Sequence, residues 1–270
     1  MAEARYDAVA DFYVSGFDST DDPAAAALLG LLGPPAGLHI LDVACGHGRI
    51  TRELARRGAG LTGIDISGVL IGVAREAERD QPLGIRYLHA DVTSPGWRGA
   101  TTFDAVTCSF GLSDIDDLDG ASAAIAAALR PGGSFVFSIL HPCFPGGQDI
   151  SGSWPTTGRY YDEGRWTASD AKSTLRRQVG ASHRMLSTYL RAFRQHGMWL
   201  DQIIEPPPPP EWDAEHDADR NPVFLVARFL QAVGSPANAL KSSRRPDLAG
   251  PDQGGKHDPA ASDDADGRGT

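Results

Sequence analysis

The sequence predicts an α/β fold, a doubly wound sheet of parallel strands with helices on both faces, and three observations carry that prediction. Short apolar runs alternate with helical segments between residues 38 and 140. Capping and turn residues separate them at the spacing of strand–helix–strand units. At 270 residues, 41% of them hydrophobic, the chain is long enough to bury a sizeable core. The first strand is the buried run Leu38-His39-Ile40-Leu41-Asp42-Val43, followed by Gly46-His47-Gly48 and a helix through Leu54 that stops at Gly58. A second strand covers 61–64 and ends in Asp65, with Ser67 placed to cap a helix running to Arg79. A third covers 85–90 and ends before Asp91, a fourth 103–109 and a fifth 134–140. Between the last two lies an Ala-rich helix over 121–129, closed by Pro131-Gly132-Gly133. Right-handed crossovers join such strands.

Beyond residue 140 the rhythm changes. Residues 142–182 show little periodicity but carry Trp154, Tyr160, Tyr161 and Trp166, and a long irregular segment inside a compact domain reads as a lid or cap. An amphipathic helix is expected over 184–196, with Met185, Leu186, Tyr189, Leu190 and Phe193 on one face and Gly197 as its stop. Two further strands are expected over 199–204 and 222–229, joined by a loop with five consecutive prolines at 206–210. The domain organisation that follows is an N-terminal helical cap segment at 1–37, a folded domain at 38–233 with its insert at about 142–182, and a tail at 234–270. That tail has almost no large apolar side chains after Leu240, so disorder is expected of it.

Composition excludes several classes. A formal net charge of −10, with scattered basic residues, argues against a nucleic-acid partner. No run approaches 18 apolar residues, so no membrane span is expected. The stretch after Met1 has no apolar signal core, and three cysteines (Cys45, Cys108, Cys143) make neither a disulfide framework nor a four-thiolate zinc site. The expectation is a cytoplasmic protein acting on a small molecule, with no bound metal and an oligomeric state the sequence does not set.

The chemistry is concentrated at strand ends. Asp42-Val43-Ala44-Cys45-Gly46-His47-Gly48 sits where the first strand turns into the first helix; its glycines let backbone approach a ligand, and the helix start offers free N–H groups. Asp65, at the end of the second strand, can accept bonds from both ribose hydroxyls of a nucleoside. Two cofactors compete for such a site, a nicotinamide dinucleotide and S-adenosylmethionine. The dinucleotide fingerprint calls for a third glycine where this chain has Thr51, and Asp42 would repel a pyrophosphate while suiting a cationic amine and sulfonium. Asp91 adds a partner for an adenine amino group. The trio favours the methyl donor.

The residues from 41 to 48 resemble the glycine motif of class I S-adenosylmethionine-dependent methyltransferases. Gly63-Ile64-Asp65-Ile66-Ser67 resembles that family's second motif and Ala90-Asp91-Val92 its third. Phe103-Asp104-Ala105-Val106 with Ser109-Phe110 resembles the fourth, and Leu129-Arg130-Pro131-Gly132-Gly133 the turn before its fifth strand. The resemblance implies a Rossmann-like seven-stranded sheet, mostly parallel with an antiparallel C-terminal strand. It implies that Ala44, Cys45, Gly46 and Gly48 border the methionine part of the cofactor, that Asp65 and Ile66 hold the ribose and adenine, that Asp91 and Val92 meet the adenine, and that Ser109 and Phe110 line the floor near the sulfonium. Tyr6 and Tyr13 resemble the segment that closes over the cofactor in small-molecule members, or else pack an N-terminal helix. Cys45 and His47 occupy variable positions of the glycine motif.

Methyl transfer is governed by alignment in a dry pocket, with a base where an O–H or N–H acceptor must lose a proton. His141, directly after the fifth strand, and His183, ahead of the amphipathic helix, are the candidate bases; the alternative for each is a structural histidine. Tyr160, Tyr161 and Glu163 are expected to shape the acceptor pocket or to sit in a loop, and Asp114, Asp116 and Asp117 to form a solvated turn. The implied activity is methyl transfer from S-adenosylmethionine to an O, N or C nucleophile of a small organic molecule. The alternatives are a non-catalytic or repurposed S-adenosylmethionine-binding protein and an NAD-dependent oxidoreductase.

Overall fold

A computed structural model describes residues 3–144, 146, 152–154, 158–169, 174–208 and 222–233. The proposed tail at 234–270 and the last two prolines of the run at 206–210 lie outside the described residues. In chain order the regular elements are a 3-10 turn at Arg5–Val9, α1 (Ala10–Gly16), α2 (Pro23–Leu32), β1 (His39–Val43), α3 (Arg49–Arg56), β2 (Gly60–Asp65), α4 (Gly68–Asp80), β3 (Arg86–His89) and β4 (Phe103–Ser109). A 3-10 turn at Gly111–Ser113 follows, then α5 (Leu118–Ala128), β5 (Leu129–Leu140), β6 (Gly164–Trp166), α6 (Thr174–Val179), β7 (Ala181–His183), α7 (Leu186–Gln195), β8 (Met198–Ile204) and β9 (Phe224–Gln231).

Seven strands form one sheet in the order β3-β2-β1-β4-β5-β9-β8, and β6 pairs with β7 in a separate ribbon. The pairs among β1 to β5 are parallel, while β9 runs antiparallel to both β5 and β8. The strand order reverses at β1 and β4, which makes the carboxyl ends of these strands the place where a ligand crevice opens. The expected doubly wound sheet is therefore the observed one.

Alternation along the strands explains the two-sided core. Ile40, Val136 and Val226 face α2, α3 and α4, where Leu28, Leu54 and Ile71 are fully buried. Their chain neighbours Leu41, Phe135 and Ala227 face α5 and α7, which contribute Ile125 and Phe193. On that second face Phe135, Phe137, Phe193 and Phe229 pack with ring centroids 5.0–6.0 Å apart, a geometry favourable to aromatic pairs.

Two expectations about elements are corrected. The stretch Leu129-Arg130-Pro131-Gly132-Gly133 is part of β5 rather than the turn ahead of it: Leu129 pairs with Phe103, and the register shifts before Ala105 pairs with Ser134. Gly132 takes φ +76° there, and a side chain on Gly133 would come within 2.9 Å of the Asp104 carbonyl, so the glycines serve an irregularity inside the strand. The insert is also less irregular than its sequence suggests, since β6, α6 and β7 lie within it. These are elements of three to six residues, too short to produce a periodic signal.

Candidate functional site

The carboxyl ends of β1 to β4 open into a cavity of about 740 Å³, within the size range of small-molecule sites. The backbone at its floor is unusual. Ala44, after β1, and Phe110, after β4, are the two non-glycine residues with positive φ among the described residues, at +53° and +58°. Such conformations cost of order 1–3 kcal/mol and tend to gather at binding sites. The two turns also press together, because a Cβ on Gly111 would stand 2.4 Å from that of Ala44. Gly46 and Gly48 have φ of +57° and +93°; Gly46 faces the ring of Tyr13, and Gly48 leaves no room for a side chain beside the Tyr87 hydroxyl.

Asp65 ties this turn to β2. Its Oδ2 accepts the Gly46 N–H and its Oδ1 the Ser67 N–H, both at 2.8 Å. Each oxygen has a second lone pair, and the residue lines the cavity. Burial pushes its carboxyl above the usual carboxylate range, partly offset by the Ser67 and Gly46 amides. Asp91, at the end of β3, accepts the Thr93 N–H and hydroxyl at 2.9 and 2.7 Å and also lines the cavity. Ile66, Val92, Ser109, Phe110 and Tyr13 complete the expected set on its walls. Burial pushes the Tyr13 phenol up to about 12, so it stays protonated at neutral pH.

Three members of the expected cofactor set lie behind the cavity wall. Asp42 accepts the Thr51 hydroxyl at 2.6 Å and the Thr107 hydroxyl at 2.8 Å, and it joins β1 to α3 and β4. It does not line the cavity, so the attraction expected between its carboxylate and a cationic amine has no direct contact to act through. Burial pushes it up to about 6. Cys45 packs its sulfur against Gly63, and Gly48 is turned to Tyr87.

The two histidines are placed differently from the expectation. His141 is 4% exposed and does not line the cavity. Its Nε2 meets Glu205 at 2.9 Å and its Nδ1 accepts the Cys143 N–H at 3.0 Å, which sets the tautomer with the proton on Nε2. Both nitrogens are engaged at the root of the insert, so the residue has no lone pair for an acceptor. His183 donates from Nε2 to the Tyr160 carbonyl at 2.8 Å and lies beside Trp154, away from the main cavity. Tyr160 and Glu163 take the backbone N–H groups of Leu186 and Met185, and Tyr161 is 78% exposed, so none of the three lines the cavity. Among the described residues, no histidine lines it.

Other side chains take the places that sequence reasoning left empty. Arg49, the first residue of α3, lies on the floor; its Nη1 donates to the Ser19 carbonyl and to Asp22, both at 2.6 Å, and its Nη2 approaches Ser109 Oγ at 3.4 Å. The signal was available, since Arg49 directly follows Gly48 at the start of a helix aimed at the site. Leu140, Leu175, Arg176 and Phe224 line the cavity as well, Phe224 with its ring 5.9 Å from that of Phe110. The acidic group after β4 is a solvated turn only in part: Asp114 is drawn out of solvent by Tyr6 and Arg176, whereas Asp117 is exposed and Asp116 stays half-exposed while binding Arg5, Arg165 and Ser182.

The walls fit an adenosyl ligand. Carboxylates stand at the end of β2 and two residues past its neighbour β3, and they match the donors that ribose hydroxyls and an adenine amine present. Gly46 and Arg49 also line the cavity, and a guanidinium suits the carboxylate of an amino-acid end. A dinucleotide fits worse, because Thr51 occupies the third-glycine position with its hydroxyl committed to Asp42. No group of three or more metal-binding side chains occurs among the described residues.

Comparison with known proteins agrees with this geometry. Residues 41–137 match the family described as methyltransferase domain. A ubiquinone biosynthesis O-methyltransferase of Coxiella burnetii (strain Dugway 5J108-111) is 37% identical over 108 residues, which is 40% of this chain and 46% of that protein. One of the same name from Alkalilimnicola ehrlichii is 38% identical over 110 residues, 41% of this chain and 44% of that protein. The chain thus spans about half the length of these curated relatives. A solved S-adenosylmethionine-dependent methyltransferase from Mesorhizobium loti superposes with a TM-score of 0.63 at 29% identity, covering 77% of this chain and 98% of that one.

Proposed function

Residues 41–137 are a methyltransferase domain of the class I S-adenosylmethionine-dependent kind, and from that premise we propose that the chain transfers the methyl group of S-adenosylmethionine to an O, N or C nucleophile of a small organic molecule. S-adenosylmethionine is the cofactor of this class. The observation that carries the reading is the cavity at the switch of strand order, with Asp65 and Asp91 on its wall and the glycine turn on its floor. When bound, the cofactor supplies an activated methyl group on a sulfonium, so little covalent chemistry is asked of the protein. Asp65 would hold the ribose hydroxyls and Asp91 the adenine amine. Arg49 would face the carboxylate of the amino-acid end. Phe110, Leu140 and Phe224 supply an apolar surface that keeps water from the reacting end.

The acceptor enters from the side lined by Tyr6, Asp114, Leu175 and Arg176. Leu175 and Arg176 lie outside the matched 41–137 segment, so the acceptors of the ubiquinone-pathway relatives do not transfer with the domain. The acceptor partner is taken to be a small molecule rather than nucleic acid, on the acidic balance of the chain. A cytoplasmic setting suits that chemistry; no helix among the described residues is long and apolar enough to cross a membrane. The test is transfer of tritiated methyl from S-adenosylmethionine to members of a panel of small phenols, amines and carbon acids. Label in at least one acceptor supports methyl transfer. Label in none, from a chain that binds S-adenosylmethionine, would leave a binding protein that no longer transfers.

A further inference from the structure

We propose that Asp114, in the loop after β4, couples the N-terminal segment covering the cofactor side of the cavity to α6 on the acceptor side, so that filling the first subsite orders the second. Which side is which rests on the methyl-transfer reading.

One carboxylate spans the two elements. Tyr6 donates its hydroxyl to Asp114 Oδ2 at 2.9 Å, and Arg176 donates from Nη1 to Asp114 Oδ1 at 2.5 Å. The ion pair is largely out of solvent, with side chains 11% and 19% exposed. A second tie runs parallel to it. Arg5 binds Asp116 Oδ2 at 2.8 Å and the Asp114 carbonyl at 2.6 Å, while Arg165 of β6 and Ser182 of β7 reach the other oxygen of Asp116. Arg184, just past β7, donates to the carbonyls of Leu112, Ile115 and Asp116. Among the described residues, each regular element of the insert therefore has a side chain, its own or an adjoining residue's, anchored on this one loop.

The same N-terminal segment is also anchored at the cofactor side, through Asp7, directly after Tyr6, and through Tyr13. Asp7 accepts the Ser67 hydroxyl and the Val69 N–H at the start of α4, two residues past Asp65. Tyr13 lies over Gly46. The segment thus bridges the ribose carboxylate and the β4 loop. At six residues α6 cannot hold its own helical geometry in water, so its placement depends on its ties, and Arg176 supplies the buried one. Releasing Tyr6 from Asp114 loosens the partner of that guanidinium. Leu175 and Arg176 line the cavity, so order in α6 completes the acceptor wall. Asp114 is on this account a positioning residue, and cofactor and acceptor bind with positive coupling.

Hydrogen exchange of the full chain with and without S-adenosylhomocysteine tests this. In the wild type, saturating ligand should slow amide exchange in 174–184 at least tenfold, although the adenosyl subsites lie on other elements. In the double variant Arg5→Gln/Tyr6→Phe, the slowing in 174–184 should fall below twofold while the ligand still binds and still protects the residues around Asp65. Asp114→Asn should give the same uncoupling. A purely structural role would speed exchange equally in the free and bound states, so the ligand-dependent difference is the decisive readout. Bound ligand with no slowing at 174–184 in the wild type, or tenfold slowing that persists in the double variant, overturns the proposal. Calorimetry on the same samples separates this from the wider reading: a chain that does not bind S-adenosylhomocysteine loses both.

Discussion

Replacing Asp42 by Asn should change how stability depends on pH without emptying the cofactor site. Asp42 is 1% exposed, and burial pushes its carboxyl from 3.8 up to about 6. In the unfolded chain it ionises near the ordinary value, so the folded state binds more protons between those two pH values. Stability contributed at this site therefore falls as pH rises from about 4 to 6 and stays low above that. A rise of that size corresponds to roughly 3 kcal/mol, of which roughly 2–3 kcal/mol is expressed between pH 4 and pH 7.5. The Asn amide is neutral throughout and can still join Thr51 and Thr107, accepting from one hydroxyl and donating to the other. Urea unfolding of both proteins at pH 4 and pH 7.5, at one ionic strength, gives the difference directly. The variant should gain on the wild type by roughly 2–3 kcal/mol on going to the higher pH, and its affinity for S-adenosylhomocysteine should stay within threefold. A stability difference independent of pH would refute the buried, ionisable assignment, and a large loss of affinity would place Asp42 in contact with the ligand.

Three further outcomes follow from the same geometry. Asp65→Ala removes an acceptor for two backbone N–H groups and the proposed partner of two ribose hydroxyls; with hydrogen bonds to charged groups at about 1.5–3 kcal/mol each, calorimetry should show at least a ~100-fold weaker S-adenosylhomocysteine. Gly48→Ala forces φ +93° on a residue with a side chain and sets its Cβ 2.4 Å from the Tyr87 hydroxyl, so stability should fall by more than the ~1–3 kcal/mol of backbone strain alone; Tyr87→Phe in the same chain should restore part of it, as read by denaturant midpoint. His141→Ala breaks the links to Glu205 and the Cys143 N–H, and should cost about 1–3 kcal/mol while kcat/KM for a methyl acceptor changes less than threefold; a loss of 100-fold in a folded variant would return His141 to the role of base.

The sheet is legible in the sequence because each strand end carries its own signal. Ser67 caps α4 by accepting the Leu70 N–H, as its position implies, and Asp65, Asp91 and Ser109 reach the cavity from consecutive strands of the motif series. What stays hidden depends on contacts across long separations. Nothing local to Asp114 shows that Tyr6, 108 residues earlier, and Arg176, 62 residues later, will neutralise and bury it, so the aspartates that follow β4 read as a solvated turn. His141 looks catalytic in the sequence because it follows β5 at the ligand edge. Its ring nitrogens are instead taken up by Glu205, 64 residues away, and by the turn to Cys143. Asp42 belongs to the first strand end, as expected, but has different neighbours from those expected. Its side chain does not reach the cavity wall and faces Thr51 and Thr107 instead. Strand alternation together with the β1–β4 register fixes that placement, and no single segment encodes it.

The most direct test of the account is calorimetric titration of the full chain with S-adenosylmethionine and S-adenosylhomocysteine, with NAD as control. Micromolar, one-to-one binding of both adenosyl ligands, weakened at least ~100-fold in Asp65→Ala and absent for NAD, is the predicted result. Binding of NAD alone, or undiminished binding of S-adenosylhomocysteine to the Asp65 variant, would contradict the assignment of the cavity at the ends of β1 to β4.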